Sequence, residues 1–117
     1  VGKRLGYDTR EYDFNTLNKD LDLKDVGLVV SYHMLEHVSR PDLAVKKIYD
    51  AMSHGAFFHV EVPIEPDGPF LRYGHLYPFH SHDMQKFLQD AGFKIAHGSN
   101  DTHEGGPWVE RYLAKKM

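Results

Sequence analysis

The sequence predicts an α/β fold in which parallel strands are joined through helices and an antiparallel hairpin closes the C-terminal end. Three observations predict it. Residues 26–32 (VGLVVSY) form a short, nearly continuous apolar run with β-branched residues, the pattern of a strand buried on both faces of a parallel sheet. An amphipathic segment leads from it to a second such run, residues 56–62 (AFFHVEV), and strand, helix, strand with short connections is the unit that builds parallel sheets. Residues 108–116 alternate in polarity after a glycine-rich connection, as the second arm of a hairpin does.

A chain of 117 residues with 41% apolar and 26% charged side chains supports one domain, residues 1–117, with one core. The net charge of −3, without a lysine or arginine run, leaves no footprint for phosphate contacts, so no nucleic-acid partner is expected. No apolar run approaches the ~18 residues of a membrane span. The N-terminus has no apolar signal region. Cysteine is absent, which excludes a disulfide framework and agrees with a reducing compartment; a cytoplasmic location is expected. The nine histidines are the compositional oddity, and half-exposed strand positions and loop hydrogen bonds account for them without a dedicated metal.

Taken in order, residues 3–8 fit a short strand ending at Asp8, and Tyr12-Asp13-Phe14 opens another short element. After the 26–32 strand, Pro41 suits a first helical turn, where its missing N–H is not needed. The helix runs to about Met52 with Ala44, Ile48, Ala51 and Met52 on one face, Val45 and Tyr49 widening it, and Gly55 beyond its end. Residues 63–79, with four prolines among aromatics, form a loop long enough to be functional. Ser81 is the expected N-cap of a helix whose Met84, Phe87, Leu88 and Ala91 repeat at i, i+3, i+4 and i+7 and which Gly92 stops. Residues 93–97 are a third strand, and residues 98–107 a polar connection to the fourth.

The motif that carries chemistry is His33-Met34-Leu35-Glu36-His37, an H-x-x-E-H sequence. In zinc peptidases such a motif sets two imidazoles one helical turn apart, with Glu110 here a distant third ligand. Val29, Val30 and Tyr32 immediately before it favour a strand end instead.

The segments "DVGLVVSYHMLEHVSRPDLAVKKIYDAMSHGAFFHVEVP", "HLYPFHSHDMQKFLQDAGFKI" and "WVERYLAKK" together resemble the C-terminal half of a class I S-adenosylmethionine-dependent methyltransferase. The resemblance covers roughly residues 13–116 and implies a partial Rossmann-like sheet, in which Leu35-Glu36-His37-Val38 is the turn after the family's fourth strand, at the crevice where ligands sit. It implies S-adenosylmethionine as cofactor, with Asp13 at the adenine amino group and Ser31, Tyr32 and His33 beside the methionine portion; Asp8 is a weaker candidate for the ribose. His75 and Tyr77 would face a small-molecule acceptor. His37 and His80 are the candidate bases for an acceptor that loses a proton. Some methyltransferases similar at this turn carry Glu-x-x-Glu-His with magnesium. His33 stands where the first glutamate would be, and imidazole favours a transition metal, so a metal at His33, Glu36 and His37 is the lesser alternative and no metal is the expectation. His59 and Glu61 read as structural.

The resemblance also implies what is missing. No G-x-G occurs in the chain, so the glycine turn after the family's first strand has no counterpart, and an N-terminally truncated domain is expected. Without the first strand, residues 28–30 present an apolar edge, which predicts a homo-oligomer through that edge. The competing functional class is a non-catalytic methyltransferase-like remnant acting as an interaction module.

Overall fold

The structure is a computed structural model that describes residues 21–64, 77, 79–102 and 108–117. Its centre is the strand Phe57–Pro63 (β2). Phe58, Val60 and Val62 alternate along it onto one face, where all three are fully buried. Burial of a side chain of this kind stabilises by about 1.5–3 kcal/mol. The strand Leu28–Tyr32 (β1) pairs with β2 in parallel, with Val30 opposite His59 and Tyr32 opposite Glu61. Between them runs the helix Pro41–Ala51 (α1), the right size for a parallel crossover. The last strand, Trp108–Lys115 (β4), lies antiparallel on the other edge of β2, and Lys94–Thr102 (β3) lies antiparallel beyond it, giving the order β1-β2-β4-β3. Among the described residues β1 is therefore an edge.

α1 and the helix Asp83–Ala91 (α2) both pack on the face of Phe58, Val60 and Val62. Ala44, Val45 and Ile48 come from α1, Met84, Leu88 and Ala91 from α2, and Tyr112 and Ala114 from β4. Most of the expected stripes are buried, while Tyr49, Ala51 and Phe87 are half-buried at their margins. On the opposite face Leu28, Val30 and Tyr32 are each at least half exposed, at 54%, 54% and 50%, so the burial on both faces that the apolar run of residues 26–32 predicted does not hold: β1 pairs with β2 and packs against the core on one face only. Among the described residues, no helix is long and apolar enough to cross a membrane.

Two further local expectations need correction. Ser81 does not cap α2. His82 is the N-cap residue, at φ +69°, and the partner comes from the sheet beneath the helix, because the Glu110 carboxylate of β4 accepts the His82 N–H at 3.0 Å and the Ser81 hydroxyl at 2.9 Å. A carboxylate brings a full negative charge to the positive end of the helix dipole, which a serine hydroxyl cannot. The third strand also extends past 97, through a bulge between Ile95 and His97, to Thr102, because its pairing with β4 continues into the polar segment.

Gly92 ends α2 at φ +115°, with Tyr49 lying against it. A β-carbon there would come 2.8 Å from Tyr49 Cζ, and that ring is itself packed edge-on to Phe93 at 4.9 Å. Gly92→Ala therefore combines a left-handed backbone with a clash and lowers stability by about 1–3 kcal/mol. The urea midpoint falls with an unchanged slope.

Candidate functional site

The site lies at the carboxyl ends of β1 and β2. Residues directly opposite in register share a face, so Tyr32, His59, Glu61 and Arg111 project together from the side away from the helices. The Tyr32 hydroxyl hydrogen-bonds His59 Nδ1, and the two rings meet edge-on at 5.3 Å. Strand alternation would send His33 to the helix side. Instead its φ of +54° takes the chain out of the strand and re-aims the imidazole, whose Nε2 hydrogen-bonds Glu61. The His33 N–H donates to the Glu61 carbonyl at 3.0 Å. Arg111 Nε–H donates to the other Glu61 oxygen, so one carboxylate ties β1, β2 and β4 together. Since a carboxylate only accepts, Nε2 is the protonated nitrogen of His33 in this contact.

A single 3-10 turn, Leu35–His37, follows. The H-x-x-E-H pentapeptide is thus not α-helical, and its two imidazoles are not one α-helical turn apart as the zinc-peptidase arrangement requires. Among the described residues no group of three or more histidine, aspartate or glutamate side chains is arranged to hold a metal. Glu110, the distant third ligand of that reading, is committed to Ser81, His82 and Tyr112 on the helix side.

Glu36 is only 1% exposed, and among the described residues its Oε1 has no hydrogen-bond partner. Its Oε2 lies 3.8 Å from His33 Nδ1 and 3.7 Å from His37 Nε2, beyond hydrogen-bond range. Ser31 Oγ is likewise buried and unpartnered. The His37 side chain is about half exposed, at 48%.

Of the loop residues, Tyr77 is half-buried against Phe79 and Phe87, and its N–H donates to the Glu36 carbonyl at 3.0 Å, which brings the end of the long loop to this corner. Burial pushes its phenol up, and the charges of Asp83 and Asp42 add to that. His80 is exposed, and its backbone N–H is held by Asp83 at 2.9 Å. Asp8, Asp13 and His75 lie outside the described residues. A cavity of about 410 Å³ bordered by Leu21, Asp22, Lys24, Lys47, Asp50 and Ala51 sits at the start of β1 and the end of α1, away from this chemistry.

Sequence reasoning passed over Arg111 altogether and read Glu61 only as structural, without its partners. Their roles depend on the β2–β4 register, which has no local signal; an acid two residues before the proline closing β2 was the only pointer. Burial alone would raise the Glu61 carboxyl, but the hydrogen bonds from His33 and Arg111 and their charges outweigh it and hold the group below the usual glutamate range. A depressed folded-state value means that the contribution is fully present above the unfolded value of about 4.3 and is lost as pH falls through the folded one. Glu61→Gln therefore costs about 1–3 kcal/mol at neutral pH, and its gap to the wild type narrows below about pH 4 in urea titrations.

No protein-family model matches the sequence, and no curated protein matches it. Solved structures do match. The [4+2]-cyclase SpnF is 14% identical, with a TM-score of 0.75 over 98% of this chain and 59% of its own. The 1,6-didemethyltoxoflavin-N1-methyltransferase of Burkholderia thailandensis, solved with 1,6-didemethyltoxoflavin and S-adenosylhomocysteine bound, is 17% identical, with a TM-score of 0.67 over 86% of this chain and 48% of its own. An S-adenosylmethionine-dependent methyltransferase of Clostridium acetobutylicum is 14% identical, with a TM-score of 0.66 over 97% of this chain and 67% of its own. The chain thus spans about half to two thirds of the length of these proteins, and identities this low establish the architecture and nothing finer. That architecture, with parallel β1 and β2, antiparallel β4 and β3 and the helices between them, is the fold of the class I S-adenosylmethionine-dependent methyltransferases.

Proposed function

We propose that this chain serves methyl transfer from S-adenosylmethionine to an unidentified small-molecule acceptor, in the cytoplasm. The observation that carries the reading is the corner of residues 31–37 at the carboxyl ends of two parallel strands, where ligands bind in open α/β sheets. Ser31 Oγ and Glu36 Oε1 are orphaned there. An unsatisfied buried polar atom costs about 1–3 kcal/mol, and a polar ligand group would relieve it, so the residues present fit a ligand with donors and acceptors. The Burkholderia enzyme of the same fold has a small molecule and the demethylated cofactor bound, which supports that class of ligand.

When bound, the cofactor supplies an electrophilic methyl group on a sulfonium. The chain's own part is orientation, which dominates such in-line displacements. In this reading Ser31, Tyr32 and His33 border the methionine portion, Asp13 meets the adenine, and His75 and Tyr77 flank the acceptor. The Glu61 contact fixes the His33 ring, so that side chain enters binding already ordered. His37 or His80 takes the acceptor's proton on an imidazole nitrogen where the acceptor is an O–H or N–H nucleophile.

The second reading, a non-catalytic remnant serving as an interaction module, is favoured by the absence of any G-x-G. Isothermal titration separates the two. S-adenosylhomocysteine binds the wild type with a micromolar Kd and His33→Ala about tenfold more weakly, a loss of ~1.4 kcal/mol; absence of heat at millimolar ligand would favour the remnant. The exposed apolar edge of β1 is also proposed to pair with a second copy. Val30→Lys places a charge on that edge, and sedimentation velocity then shows a monomer where the wild type is an oligomer.

A further inference from the structure

We propose that Arg111 is the anchor for a carboxylate on the methyl acceptor, making the acceptor an anionic small molecule; this rests on the methyl-transfer reading and deepens it. Arg111 stands on β4 opposite Glu61, hence at the carboxyl end of β2, on the same face as Tyr32 and His59. Its Nε–H is committed to Glu61, and among the described residues it makes no other hydrogen bond or ion pair. That leaves the two Nη groups, whose parallel N–H bonds match the two oxygens of a carboxylate. The Glu61 contact also fixes the guanidinium plane, so little freedom is lost when an anion docks.

The surroundings fit an anion with an apolar body. Both oxygens of Glu61, the acid in contact with Arg111, are already taken, by Arg111 itself and by His33. The exposed hydroxyl-bearing Ser99 is the register partner of Arg111 on β3, and Leu113, two residues along β4, offers apolar surface on the same face. The Arg111 side chain is 29% exposed, so its charge is partly withdrawn from water and its attraction for an anion is stronger than at a fully solvated site.

Position distinguishes the acceptor from the cofactor as the source of the carboxylate. β2 separates β4 from β1, which sets Arg111 about 10 Å across the sheet from the Ser31–His33 strand end assigned to the methionine portion. An anchor at that lateral distance, linked to His33 through one shared carboxylate, holds a second molecule beside the first.

The test is an NMR titration of the full chain with benzoate as the carboxylate probe and benzamide as its neutral counterpart. Benzoate is expected to shift the Arg111 Nε–Hε and Ser99 amide resonances with a millimolar Kd, and benzamide is not. Arg111→Lys keeps the charge and the Glu61 pair but loses the fork, so benzoate binds at least fivefold more weakly; Arg111→Met abolishes the response. Equal binding of benzoate and benzamide, or unchanged benzoate binding in both variants, overturns the proposal. A tenfold loss of S-adenosylhomocysteine affinity in Arg111→Lys, with no benzoate response in the wild type, also overturns it, by assigning the fork to the cofactor. Failure of the wild type to bind S-adenosylhomocysteine while the benzoate response persists supports the anion site and removes only the methyl-transfer reading.

Discussion

The structure depends on β2, a strand hydrogen-bonded along both edges whose two faces carry opposite demands. On one face Phe58, Val60 and Val62 must leave water, and α1 and α2 supply the surface that takes them out of it. On the other, Glu61 is buried as a charge, and a buried charge is tolerated only when paired and hydrogen-bonded. β1 and β4 answer that demand from either side, with His33 and Arg111. The parallel partner on one edge and the antiparallel partner on the other are therefore fixed by the same strand that builds the core.

Three buried glutamates among the described residues show how differently one residue type is used. Glu61 is shared by an imidazole and a guanidinium and links three strands. Glu110 accepts from a backbone N–H and from the hydroxyls of Ser81 and Tyr112, and so fixes the start of α2; burial first, and then the hydrogen bond to Glu110, push the Tyr112 phenol up. Glu36 has neither arrangement, with one oxygen orphaned and the other just out of reach of two imidazoles. Two of these groups hold the fold together, and the third keeps a buried oxygen without a partner among the described residues.

Such a fold does not by itself name a reaction. The same architecture is seen in a [4+2]-cyclase and in methyltransferases, so chemistry is set by what stands at the strand ends. Here that is a corner rich in imidazole, held by a carboxylate whose second partner is an arginine. The left-handed backbone at His33 is the local device that makes the corner, because it converts a residue destined for the core side into one that meets Glu61.

Read alone, the sequence determined the elements that local physics controls. The apolar run before His33, the stripe from Ala44 to Met52, the repeat from Met84 to Ala91 and the closing hairpin all carry their period in adjacent residues, and the Leu35-Glu36-His37 turn was legible as a strand exit because β-branched residues lead into it. Tertiary structure alone decided the pairings. Glu61 with Arg111 lies 50 residues apart in the chain, and Ser81 with Glu110 lies 29 apart, so neither contact leaves a trace in local pattern. Register across a sheet is chosen by the fit of whole faces, not by any one residue, which is why the cap on α2 and the anchor of His33 became visible only once the strands lay side by side.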